Sequence, residues 1–276
     1  MELVIAEDKT HWYDLDGNAR HYTPYADKKR EGEFRKTTLK DARKEGYLPS
    51  VTSILSIINK PGLEVWKAEQ AILSALTLPR AEAETEDGFA KRVVEDMKAQ
   101  TRDAARKGTN LHNAAERYLQ KKSLYLDDVT AKLFAPVQKW IDEEVEEVIL
   151  AESVQVHQGE QYAGTLDLIA ILKSYGAALC DFKSQGTKAK PVFYDEWGLQ
   201  LESYRQAYLD THPKASRPAL LSLIIASDEP RDVQVHQWDE EGSQNRIEAF
   251  NAAHTLWRWS KGYPKTKEIQ HVTQQS

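Results

Sequence analysis

Tyr162-Ala-Gly-Thr-Leu-Asp-Leu-Ile-Ala170, the turn Lys173-Ser-Tyr-Gly176 and Leu179-Cys-Asp-Phe-Lys183 together decide how this chain is read. Two short apolar runs, Ala163 to Leu172 and Ala177 to Lys183, flank a turn sequence and predict a β-hairpin. Side chains two apart on a strand share a face, so Asp181 and Lys183 point one way and Cys180 and Phe182 the other. A hairpin turning near Ser174 sets Asp167 opposite Asp181, and directly opposed residues lie ~5 Å apart. Two carboxylates and an amine then converge.

Acids that close repel unless a cation lies between them, and hard oxygen ligands in an open site suit Mg or Mn. The lysine is left to orient or deprotonate a water, or to steady developing phosphoryl charge. A metal there polarises a phosphoryl oxygen and lowers the pKa of its bound water, which is the chemistry of phosphodiester hydrolysis. An isolated Asp-x-Lys is equally what a surface hairpin with a plain ion pair would show.

Ahead of the hairpin, Ile149 to Val156 alternates as a strand, and Glu152 on it shares a face with Leu150 and Val154. Two helices precede it, Thr101 to Lys122 and Asp127 to Val148, with Pro136 either kinking the second or marking its start. His112 and Glu116 are one turn apart and can both face the sheet edge, while Gly108 permits close backbone approach. After the hairpin come the lysines Lys188 and Lys190 in a loop, able to hold phosphates or simply to be solvated. A helix from Tyr194 to His212 carries Gln200 and Tyr204 at i and i+4, one strand runs from Pro218 to Ala226 and another from Val233 to Trp238, and the last helix spans Gly242 to Ser260.

The N-terminal part reads as an elaboration. His11 to Tyr25 carries Asp16-Gly17, a tight hairpin turn; Asp27 to Glu45 is rich in Lys and Arg; Pro49-Ser-Val-Thr52 starts two short helices; Glu82 to Ala99 is helix or loop. The expectation is an α/β (α+β) domain with one mixed sheet, residues 101–276 forming the core and 1–100 packing on it.

Composition narrows the function classes. The 276 residues include 37 Lys and Arg against 43 Asp and Glu, a net charge of -6, which argues against a broad basic face coating duplex DNA. Asp142 to Glu147 holds five acids and no base, so without that run the net charge is -1 and a local DNA site is compatible with the remainder. One cysteine, Cys180, excludes disulfides and an iron-sulfur cluster built within the chain. There is no Gly-x-x-x-x-Gly-Lys-Ser/Thr loop for a nucleotide cofactor. The start Met-Glu-Leu-Val-Ile lacks the pattern of a secretory signal, and no apolar run approaches the roughly 20 residues of a membrane span, so a cytoplasmic location and no membrane partner are expected.

The series Gly108-Thr-Asn-Leu-His112, Glu152, Gly164-Thr-Leu-Asp167, Asp181-Phe-Lys183 and Gln200-Leu-Glu-Ser-Tyr204 resembles the GxxxH, GxxD, DxK and QxxxY motifs of the RecB-like branch of the PD-(D/E)xK nuclease superfamily. The likeness covers about Thr101 to Leu209. Pro49-Ser-Val-Thr-Ser is also similar to phage-type and mitochondrial genome maintenance exonucleases of that branch. The resemblance implies a restriction-endonuclease-like core, a central mixed sheet flanked by helices, with a mostly helical N-terminal elaboration. It implies a Mg- or Mn-dependent exonuclease working from DNA ends, on single strands or duplexes, in recombination, repair or replication, in a bacterial or phage-infected cytoplasm. A recombination or annealing protein is an expected partner. His112, Asp167, Asp181 and the main-chain carbonyl of Phe182 would hold the metal, with Glu152 and Glu116 as further candidates. Lys183 would be the catalytic lysine, and Gln200 and Tyr204 would contact the DNA backbone or brace that lysine. The four cysteines of cluster-bearing relatives are missing, which aligns the chain with stand-alone exonucleases. A non-cleaving nucleic-acid binding module of the same fold and a restriction-type endonuclease are the alternatives.

Overall fold

The computed structural model describes residues 11–188 and 190–263. The N-terminal part comprises β1 (Trp12–Tyr13), β2 (Tyr22–Pro24), β3 (Phe34–Lys36), α1 (Leu39–Glu45), β4 (Leu48–Pro49), α2 (Val51–Leu55) and α3 (Pro61–Thr77). Then follow α4 (Glu86–Leu119), α5 (Asp128–Glu144), β5 (Val145–His157), β6 (Tyr162–Leu172), β7 (Gly176–Gln185), α6 (Asp195–Thr211), β8 (Ala219–Ala226), β9 (Gln234–Trp238) and α7 (Ser243–Lys261). The architecture is mixed α/β.

The central sheet has the order β5-β6-β7-β8-β9. β5, β6 and β7 form an antiparallel meander, β8 runs parallel to β7, and β9 returns antiparallel. A parallel neighbour needs a crossover, and α6 supplies it. Alternate residues of β7 enter different cores. Cys180 and Phe182 pack with Leu111 and Ala115 of α4 and Val137 of α5, whereas Leu179 packs with Leu201 and Tyr204 of α6 and Trp257 of α7. Because helices cover both faces, β8 (ALLSLIIA) is apolar at almost every position.

The predicted hairpin is present with its predicted register. Leu172 pairs with Gly176 and Leu168 with Cys180, symmetric about residue 174, and Gly176 takes the left-handed φ of +66° that closes the turn.

Three expectations need correction. First, the stretch 82–99, read as helix or loop, is helix from Glu86 on and is continuous with the helix predicted from Thr101. α4 runs unbroken for 34 residues from its cap, the Thr85 hydroxyl accepting from Gly88 N–H, so the expected boundary at residue 100 falls inside one helix. Second, the helix predicted to reach Val148 stops at Glu144, where the run Val145-Glu-Glu-Val-Ile-Leu joins the sheet through two register shifts in β5, and Pro136 lies within α5. The acidic run Asp142 to Glu147 therefore straddles a helix end and a strand. Third, His11 to Tyr25 turns at Gly17 (φ +82°) but closes only through a Tyr13–Ala19 bridge. β1 pairs with β4 and β2 with β3, because Trp12 is fully buried against Trp257 and Tyr263, with ring centres 6.1 and 5.5 Å away. Among the described residues no helix is long and apolar enough to cross a membrane.

Candidate active site

β7 carries Asp181 and Lys183, and the neighbouring strands and two helices bring the remaining groups to them. Lys183 Nζ lies 2.6 Å from Asp181 Oδ2. Gln200, entering from α6, donates from Nε2 to Asp181 Oδ1 at 3.0 Å and accepts from Lys183 Nζ at 3.0 Å through Oε1. Its Nε2 also lies 3.2 Å from the Tyr204 hydroxyl. Asp181 is buried, and its Oδ2 has the ammonium as counter-charge but no aligned hydrogen-bond donor.

Asp167 sits where two ladders open. β5 and β6 pair Ala151 with Leu168 and Ser153 with Leu166, but skip Glu152 and Asp167 between them. Glu152 there takes φ +49°, a left-handed conformation costing roughly 1–2 kcal/mol for a residue with a Cβ. Strain of this kind persists only where the surroundings hold it. The Asp167 carboxylate instead accepts the Phe182 N–H at 2.7 Å, and His112 Nδ1 stands 3.8 Å from the same oxygen.

The electrostatics follow from burial and like charge. Desolvation, then the nearby Asp181 carboxylate, push the Asp167 carboxyl well above its usual range. Glu152 is pushed up to about 7 by desolvation and then by Glu116 and Asp181. Desolvation lowers His112, which favours the neutral imidazole with a lone pair free to ligate. The centre therefore gathers more acidic groups than one lysine can neutralise, and two of them hold their protons more tightly than usual.

Two glycines of the motif runs let the elements close. A Cβ on Gly108 of α4 would lie 2.4 Å from Ser184 Oγ of β7, and one on Gly164 of β6 would lie 2.5 Å from Tyr204 Cε1. A side chain at either position would force Ser184 or Tyr204, or the element that carries it, to shift.

Asp167, Asp181, Lys183, His112, Glu152 and Gln200 are thus brought together, and Glu116 lies near enough to raise Glu152. Phe182 lies between Asp181 and Lys183 on β7, its ring in the core. Tyr204 and Gln200 are both buried, Gln200 against Lys183 and Tyr204 against Gln200. Lys188 and Lys190 are exposed, on a loop whose Thr187 N–H is held by Asp228 at 2.8 Å, and neither makes a described contact with the centre. Trp197, given no role by the sequence beyond an apolar stripe, has Lys183 Nζ over its ring at 5.8 Å from the centroid. Its spacing of three residues from Gln200 was the available signal.

The donor set, a buried carboxylate whose one counter-charge is Lys183, beside a second carboxyl group and a desolvated imidazole, fits a hard divalent cation. Among the described residues, no three His, Cys, Asp or Glu side chains already stand close enough together to coordinate one; Lys183 is the cation beside Asp181. No protein-family model and no curated protein matches this chain.

Proposed function

We propose that this protein is a metal-dependent nuclease with a PD-(D/E)xK-type core, hydrolysing phosphodiester bonds at DNA ends. The observation that carries the reading is the buried Asp181, paired with Lys183 and bridged to it by Gln200, beside the protonation-prone Asp167 and Glu152.

Asp167, Asp181 and His112 would hold Mg or Mn, with the Phe182 carbonyl, Glu152 and Glu116 as further donors. When bound, the metal supplies Lewis-acid polarisation of a phosphoryl oxygen and a water acidified toward neutral pH. Lys183 keeps a fixed ammonium 2.6 Å from Asp181, placed to orient the attacking water and to stabilise charge on the phosphoryl oxygens. Gln200 holds that ammonium in direction, and Tyr204 holds Gln200. The Phe182 N–H fixes one oxygen of Asp167, and in the metal-free centre burial, with Glu116 and Asp181 nearby, raises Glu152 to about 7. Lys188 and Lys190 offer positive charge to the flanking DNA backbone.

The test is cleavage of end-labelled single strands, linear duplexes and closed circles in Mg or Mn, beside Lys183→Ala. Degradation of linear DNA with circles intact is the expected result, and survival of every substrate at all metal concentrations overturns the reading.

A further inference from the structure

The face of α6 that carries the lysine brace continues outward to an aromatic group. Tyr204 and Gln200 are buried, and Trp197, one turn nearer the helix start, is half-buried at the rim. Lys183 Nζ lies over the indole at 5.8 Å, so that ring presents a face to the centre. The two other rings beside it meet it edge to face, Tyr194 at 5.1 Å and Phe193 at 6.2 Å, so no described ring is stacked parallel on it.

The indole is also held in place. A Cβ on the adjacent Gly198 would meet Trp238 at 2.8 Å, which pins the first turn of α6 against β9. Tyr194 packs on the start of α3, its hydroxyl 3.6 Å from where a Gly62 Cβ would lie, and Lys60 pairs with Glu196 at 3.6 Å. A rigid ring beside a phosphate-binding group is what a base-stacking contact requires: the base hangs one sugar away from its phosphate, and every base offers a π-face.

Resting on the nuclease reading, we propose that Trp197 stacks on the nucleobase of the nucleotide whose phosphate lies at Lys183, and that this nucleotide is unpaired. A base inside a duplex has both faces covered by its neighbours, and a flush duplex end exposes one face of its last pair only, so an unpaired strand is the substrate that can present successive bases to the indole. Trp197 is then a positioning residue that selects single-stranded ends without reading sequence.

The test uses end-labelled single strands carrying one abasic residue at the first, second or third position from either end. For the wild type, one position lowers kcat/KM by about 5- to 150-fold, the range of one lost base-aromatic stack. Trp197→Ala loses a similar factor on the intact strand and becomes insensitive to the abasic position, whereas Trp197→Phe keeps part of the sensitivity. A role limited to packing would leave the position dependence unchanged in the variant, and that result, or a wild type indifferent to every abasic position, overturns the proposal. Affinity for the same strands in Ca in place of Mg separates the two readings. Position-dependent binding without cleavage keeps the platform and removes the nuclease, and cleavage without position dependence does the reverse.

Discussion

Gln200 is shared between the two charged groups of the centre, its amide nitrogen on Asp181 Oδ1 and its amide oxygen on Lys183 Nζ, each at 3.0 Å. The side chain thus ties the α6 crossover to β7 and sets the direction of the ammonium. Gln200→Ala should lower kcat by about 10- to 100-fold, the usual cost of losing a supporting contact, with a smaller change in KM. Steady-state kinetics on a labelled strand check this, and an unchanged kcat would remove Gln200 from the machinery.

Metal-free stability should fall as pH rises through the weakly acidic range. Glu152 is raised to about 7 and Asp167 is raised as well, so between the unfolded carboxylate values near ~4 and the folded ones the native state holds more protons than the unfolded state. Stability decreases with pH in that window. Thermal unfolding in EDTA from pH 5 to 7 measures the slope. Asp167→Asn should flatten it, and identical slopes in the two proteins would contradict the argument.

Ligand and lysine roles separate by metal titration. A cation that binds only the folded chain stabilises it by about 2.7 kcal/mol at a hundred times its dissociation constant. Wild type should show this rise in unfolding temperature with Mg or Mn, and Asp181→Asn and Asp167→Asn should lose it. Lys183→Ala should keep the rise while losing cleavage. A Lys183→Ala protein that no longer responds to metal would place the lysine's role in assembling the site.

The α4–β7 contact leaves no room for a methyl group. A Cβ at position 108 would sit 2.4 Å from Ser184 Oγ and 3.3 Å from its Cβ. Gly108→Ala should destabilise the fold by about 1–3 kcal/mol, as overpacking does, and displace His112, which lies one turn further along α4. Adding Ser184→Gly should recover most of the loss in urea unfolding, because the methyl group would then occupy the vacated space.

The β6–β7 hairpin was legible from local pattern alone. Two short apolar runs on either side of Lys173-Ser-Tyr-Gly176 specify turn and register together, and the last pair, Leu168 with Cys180, leaves Asp167 next to Asp181. The same locality misled elsewhere. Helical periodicity does not show that residues 86–119 are one uninterrupted helix, nor that Val145 leaves α5 for a strand, since partners in the sheet decide both. Trp12 draws β1 away from its own hairpin by burial against residues some 245 positions later.

The residue types of the centre, their order and the hairpin that opposes two carboxylates are therefore determined by the sequence itself, through side-chain alternation and a short turn. The Gln200 bridge, the left-handed Glu152, the desolvated His112 beside Asp167 and the indole over Lys183 belong to tertiary structure. Each depends on elements distant in the chain meeting at van der Waals distance, and burial at that meeting point shifts the proton affinities and orients the side chains.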